Sequence, residues 1–480
     1  MLANRVSNSS RERERGIVVR TFKRIAAVTV FVLIGLAAWL GWLYASSTED
    51  YPIAAHPAAA LTPLVALVRS AAPASGDRVL VVLVFDGLSA RSIASVPTPN
   101  FARLAAEGSH TGAMLPVYPT LSLPNHFSLT TGCYPERHGV VSNRFIDPEL
   151  GLYEHEKGDA AWLLGCEPIN VVAERQGIRS AILGWVGATR GRKALASIVD
   201  EYRPPLPSIA KRTARVLELL AESAAERPRL IVAYHNEPDT SLHVHGFAAE
   251  PAKAAMRAAD AAVGQVLRAL EQPGLRGHAA LIVTSDHGML DAKSHINVER
   301  ILRNAEIDAT IAGDGATAHV YLRDPSTRAA ALAKLQGHAH VTAFTPEQPP
   351  AYAHLGQSKR MGDFVIQTKP GDYVFDRGLW PKNLRWAAMY GPEVLTGRRF
   401  AGMHGYPPDT PGVQSVFYAW GAGIAQGAKL DGMQAIDVHP TMAAWLGIAG
   451  GTPIDGQVRT ELFPPVPTEL PAAEAADVAH

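Results

Sequence analysis

Apolar runs of strand length recur along the chain, and several stop at a polar cluster. Val79 to Phe85 leads into Asp86, Leu230 to Tyr234 into Glu237, Pro238 and Asp239, and Ala280 to Ser285 into Asp286 and His287. Helical periodicity fills the stretches between them. From Pro251 to Leu270, for example, Ala255, Ala258, Ala262, Val266 and Leu270 make one apolar stripe. Strands alternating with amphipathic helices predict an α/β fold, a mostly parallel sheet flanked by helices on both faces. Ligands bind such sheets outside the carboxyl ends of the strands, and all three acidic clusters fall at that edge. Residues 297–400 interrupt the pattern with loop-rich pieces such as TPEQPPAYAH and KPGDYVFDRGLWPKN, which predicts an inserted subdomain. The core then has a first part over 77–296 and a second over 401–462, and a Pro- and Ala-rich tail, 463–480, is expected to be flexible.

The N-terminus carries a different pattern. Ile25 to Ala45 is a run of twenty-one residues without a charge, long enough at about 1.5 Å per residue to span a hydrocarbon core of roughly 30 Å. Arg5, Arg11, Arg13, Arg15, Arg20, Lys23 and Arg24 precede it against only Glu12 and Glu14. The positive-inside rule therefore puts 1–24 in the cytoplasm and the rest of the chain in the periplasm or outside the cell, with Trp39, Trp42 and Tyr44 at the outer interface. A cleaved signal peptide is the competing reading; the run is longer than a usual h-region and no clear A-x-A follows it. Residues 46–76, rich in Ala, Pro and Ser, read as a linker in which Leu61 to Val68 could form a short helix.

Composition narrows the classes. The 480 residues allow two or three domains, or one large α/β unit with insertions. With 47% hydrophobic and 19% charged residues, and 45 basic against 45 acidic groups, wholesale disorder and a strongly basic nucleic-acid binder are both excluded. The neutrality is an average: residues 1–45 hold seven basic and two acidic groups, the remainder 38 and 43. Two cysteines, Cys133 and Cys166, are too few for a disulfide scaffold and lack zinc spacing. In an oxidising compartment they could bridge; two buried thiols are the other reading.

Four separated segments place Asp or His in loops: Asp86 in FDG, Asp239 and His243 in EPDTSLH, Asp286 and His287 in SDHGM, and His404 in GMHGY. Any one alone reads as a cap, turn or surface residue. Together, three aspartates and three histidines are the donor types and number for two zinc-like ions. Ser122 lies just before a predicted helix, where the positive end of the dipole and a nearby metal would make its alkoxide accessible; a plain N-cap is the alternative.

The ordered segments PVYPTLSLPNHFSLTTGCYPERHG, EPDTSLHVHG, SDHGM and GMHGY resemble the nucleotide pyrophosphatase/phosphodiesterase family of the alkaline phosphatase superfamily, from about Val79 to Gly447. The resemblance implies one zinc held by Asp239, His243 and His404, another by Asp86, Asp286 and His287, and Ser122 as nucleophile and metal ligand. It implies that Asn143 contacts a phosphate oxygen, and that Tyr234 and Leu123 flank the substrate, Tyr234 by stacking. The implied activity is a membrane-anchored, two-zinc phosphodiesterase or pyrophosphatase acting on a small phosphodiester or nucleotide through phospho-Ser122. The alternatives are a phosphomonoesterase, a phosphonate hydrolase, a choline-type head-group phosphodiesterase and a non-enzymatic binding protein. Serine replaces the threonine most members use, and Leu123 replaces a frequent phenylalanine, which removes one wall of an aromatic slot. His126, His138, His235 and His245 match no ligand position and read as supporting or structural residues; Asp437 reads as a helix N-cap.

Overall fold

The computed structural model describes residues 77–153, 162–163, 165–185, 196–202, 206–356, 358–374, 400–449 and 451–463. Of its two compact units, the one made of Met1–Pro52 and Arg377–Gly397 lies outside those residues, as do the expected transmembrane segment 25–45 and linker 46–76. The other unit, Ile53–Asp376 with Arg398–His480, contains every described residue. Among the described residues no helix is long and apolar enough to cross a membrane.

Seven strands form the central sheet: β1 (Val79–Phe85), β2 (Ser109–Met114), β3 (Ser180–Leu183), β4 (Ile198–Asp200), β5 (Leu230–His235), β6 (Ala279–Thr284) and β7 (Ser415–Gly421), in spatial order β2-β7-β6-β1-β5-β3-β4. β1 pairs in parallel with both β5 and β6, and β3 with β4 and β5; β7 runs antiparallel to β6 and β2, so the sheet is mixed. All seven residues of β1 are buried, which is why its sequence is continuously apolar rather than alternating.

The helices that matter here are α1 (Pro99–Glu107), α2 (Ser122–Thr131), α3 (Ile169–Arg175), α4 (Ile209–Ala221), α5 (Asp239–His245), α6 (Glu250–Leu270) and α7 (Val438–Leu446). Leu80, Val82 and Val84 pack with Leu129 of α2, Val172 of α3 and Met442 of α7. Val79, Val81, Leu83 and Phe85, on the opposite face, pack with Phe101 of α1, Val216 of α4 and Val263 and Val266 of α6. The result is a three-layer α/β/α core with β1 at its centre.

Four strands over Ala309–Asp314, Thr317–Leu322, Val341–Phe344 and Phe364–Thr368 form a separate antiparallel sheet with its own apolar cluster. Part of the region expected as an insertion, 375–399, lies outside the described residues. Cys133, just past α2, is bonded to Cys166, just before α3, so of the two readings left open for the cysteines the bridge holds.

Candidate active site

The site assembles where strands β1, β5 and β6 end. Asp86 follows β1 directly, Asp286 and His287 follow β6, and Asp239 opens α5 four residues after β5. Ser122 is the first residue of α2; Leu121, not Ser122, occupies the N-cap, and no side chain caps the helix. The Ser122 hydroxyl instead lies 3.2 Å from His287 Nε2, which sets aside the plain N-cap reading. His404 comes from the loop before β7, its Nδ1 2.9 Å from the Thr120 carbonyl two residues ahead of Ser122.

Three histidines are oriented alike. Nδ1 of His287 lies 3.0 Å from the Gly288 carbonyl, Nδ1 of His243 2.8 Å from the Gly402 carbonyl, and Nδ1 of His404 makes the Thr120 contact. A carbonyl can only accept, so each Nδ1 carries the proton and each Nε2 presents a lone pair. Those lone pairs converge on acceptors. His404 Nε2 is 3.0 Å from His243 Nε2, and Asp239 Oδ1 is 3.4 and 3.6 Å from the His243 and His404 nitrogens. His287 Nε2 is 3.3 Å from Asp86 Oδ1 and 3.4 Å from Asp286 Oδ2. Asp86 Oδ1 and Asp286 Oδ2 are buried and make no hydrogen bond. Imidazole nitrogens and carboxylate oxygens gathered this closely are a donor set that fits divalent cations.

Charge inside the cluster is correspondingly frustrated. Burial, then the neighbouring Asp286 and Asp239, push the Asp86 carboxyl well above the ordinary carboxylate range. Burial, with His287 and His243 beside it, holds the His404 imidazole well below its ordinary value. Asp286 moves down: burial opposes this, but adjacent His287 and His126 outweigh it. The two halves differ in access. Asp286 and His287 side chains are 0% exposed, whereas His243 and Asp239 are 18% and 14% exposed, so the pocket opens on the Asp239 side.

Asn143 is buried, and its Oδ1 accepts the Leu123 N–H at 2.8 Å, which ties it to the second residue of α2. Two residues expected to flank substrate sit otherwise. The Leu123 side chain is fully buried in a cluster with Tyr118, Phe127, Val140 and Val141, so only its backbone reaches the site. Tyr234 is buried as well, and its hydroxyl donates to Asp86 Oδ2 at 2.5 Å. An exposed aromatic ring is found elsewhere, at Phe400, 5.4 Å from the His243 ring.

His126 lies closer to the chemistry than its sequence context indicates. Its Nε2 is 3.1 Å from Asp286 Oδ2, both side chains being wholly buried, and it groups with Asp86 and Asp286 as a second possible donor set, beside one of Asp239, His287 and His404. The signal available was its spacing: four residues after Ser122 on one helix, it shares a face with the nucleophile position. His138 and His235, by contrast, are buried away from the cluster, against Ser128 and Phe85 respectively.

Residues 80–407 match the family model for type I phosphodiesterase/nucleotide pyrophosphatase. The chain belongs to that family. Rat ectonucleotide pyrophosphatase/phosphodiesterase family member 1 is 28% identical over 366 residues, 73% of this chain and 38% of the relative. Venom phosphodiesterase 2 of Crotalus adamanteus is 25% identical over 413 residues, 82% of this chain and 49% of the relative. The chain thus spans less than half the length of these type I phosphodiesterase relatives. Among solved structures, murine ectonucleotide pyrophosphatase/phosphodiesterase 5, in an inactive form in complex with AMP, superposes with a TM-score of 0.69 at 24% identity, covering 81% of this chain and 100% of that one. The fold of this family member is therefore shared with that protein.

Proposed function

We propose that the chain hydrolyses phosphodiester or phosphoanhydride bonds of small substrates through a covalent phospho-Ser122 intermediate, with two zinc ions as cofactors. The observation that carries this reading is the Ser122 hydroxyl 3.2 Å from His287 Nε2, against a cluster in which three imidazole lone pairs and three carboxylates converge. Asp239, His243 and His404 would hold one ion, and Asp86, Asp286 and His287 the other. Bound there, the ions would lower the pKa of the Ser122 hydroxyl and offset charge on the phosphoryl and leaving oxygens.

The chain's own residues supply the rest. Ser122, held as the first residue of α2, would attack phosphorus in line. The Ser122 Oγ–P bond forms as the bond from phosphorus to the leaving oxygen breaks; that oxygen departs toward the open Asp239 side, and the proton given up by Ser122 leaves with it. Asn143, its Oδ1 tied to Leu123, would donate its amide N–H to a non-bridging phosphoryl oxygen. Water then cleaves the Oγ–P bond from the opposite face, and Ser122 recovers its proton.

Membership in the family supports the reaction class, and the AMP complex of the murine neighbour supports a nucleotide as ligand. The apolar run at 25–45 and its basic flank support a single-pass anchor with the catalytic unit outside the cytoplasm, and the Cys133–Cys166 bridge supports the oxidising compartment which that orientation requires. Ser122→Ala should abolish hydrolysis of bis(4-nitrophenyl) phosphate while zinc content, measured by atomic emission, stays near two per chain. Undiminished turnover in that variant refutes the nucleophile; a chain that takes up no zinc refutes the site. Comparing monoester and diester nitrophenyl substrates separates this reading from a phosphomonoesterase.

A further inference from the structure

We propose that Tyr234 is a positioning residue for the buried cation position: its hydroxyl pins one oxygen of Asp86 so that the other alone is presented to the ion. The inference rests on the two-cation reading above and deepens it. In the parallel register of β1 and β5, Tyr234 lies opposite Val84, so its side chain emerges on the sheet face shared by Asp86, two residues further along β1. The phenol reaches Asp86 Oδ2 at 2.5 Å, while Oδ1 of the same carboxylate makes no hydrogen bond and stands 3.3 Å from His287 Nε2.

The ring is held on several sides. Its centroid lies 4.8 Å from that of His126, edge to face, and 6.3 Å from those of both Trp185 and Tyr202. A ring so enclosed offers no broad face for stacking against a substrate, and its one polar atom is already spent on the carboxylate. Asp286 is steadied differently: its Oδ1 accepts the N–H groups of Gly87 and His287 at 3.2 and 3.0 Å. Asp86 receives no comparable backbone support on its side chain, so the Tyr234 hydroxyl is the group that sets its orientation. Fixing one oxygen makes the carboxylate a one-oxygen donor and removes the rotational freedom that ion binding would otherwise have to freeze.

Tyr234→Phe isolates the hydroxyl, because the ring and its packing remain. With the full chain stripped of metal and titrated with zinc against a chromophoric chelator, the variant should bind one zinc like the wild type and the other about 10–100-fold more weakly. Loading with cobalt should shift the visible absorption bands relative to wild type, reporting changed coordination at the site. Asp86→Ala marks the floor for loss of the donor itself, and a cooperative thermal transition of the metal-free Phe variant confirms that it is folded. Equal zinc affinities and superimposable cobalt spectra for wild type and Tyr234→Phe overturn the inference. A wild-type chain that binds neither metal overturns the two-cation reading beneath it, so the two failures are distinguishable.

Discussion

Replacing Thr120 by valine tests whether the nucleophile segment and the His404 loop are built as one piece. Thr120 is wholly buried; its hydroxyl donates to the Tyr406 carbonyl at 3.0 Å and accepts the Gly405 N–H at 3.0 Å, while its own carbonyl takes His404 Nδ1. Valine has the same shape and keeps the carbonyl, so only the two hydroxyl bonds are lost. Gly405 N–H and the Tyr406 carbonyl would then be buried without partners, and at about 1–3 kcal/mol each the loss should total roughly 2–4 kcal/mol, allowing for partial relaxation. Thr120→Ser keeps both bonds and gives up one methyl group, about 1 kcal/mol. Urea denaturation of the metal-free chain, at unchanged m-value, reads both numbers. Because His404 sits on the loosened loop, zinc affinity should fall in the valine variant and recover in the serine one. A valine variant within about 0.5 kcal/mol of wild type, the level of an ordinary surface substitution, refutes the reasoning.

Further expectations can be checked alongside. A Cβ at Gly288 would overlap the Gly412 carbonyl and meet the Gln414 carbonyl oxygen at 2.9 Å, so Gly288→Ala should lower the thermal midpoint by several degrees, and an unchanged midpoint contradicts the tight backbone approach next to His287. The Cys133–Cys166 bridge closes a segment of sequence separation 33, so the double alanine variant should lose about 2–4 kcal/mol in urea denaturation; a loss below about 0.5 kcal/mol would mean the bridge adds nothing. Burial lowers both His138 and His235 to about 3, from an unfolded value of 6.5. The unfolded chain therefore takes up protons first as pH falls, and stability is full above 6.5 and lost from there toward 3, at about 1.4 kcal/mol per pH unit for each. Glutamine at either position should flatten that acid slope, and a slope identical to wild type would contradict it.

How far the sequence could be read depended on what each residue does. The strands before Asp86 and Asp286 were legible because a strand buried on both faces must be continuously apolar, and a carboxylate at its end stands out against that run. The same two-sided burial hid side-chain direction: with no alternation in VLVVLVF or LIVAYH, nothing told whether Tyr234 faces an open slot or turns back to Asp86. Leu123 was obscured likewise, because a helix buried all round has no polar face to orient it. Thr120 acts through buried hydrogen bonds that leave no periodic trace. The antiparallel sheet over 309–368 had a readable marker, since Asp314 and Thr317 pair across the turn at Gly315, which takes φ of +58°, an Asp-Gly hairpin signal within an otherwise weak pattern.

The covalent step at Ser122 is open to direct test. Mixing the zinc-loaded full chain with excess bis(4-nitrophenyl) phosphate and quenching in acid within the first turnover should give a burst approaching one nitrophenolate per chain. Mass spectrometry should then find a nitrophenyl-phosphoryl group on the peptide that carries Ser122, absent from Ser122→Ala. Steady hydrolysis with no burst, no adduct and no dependence on Ser122 would contradict the mechanism.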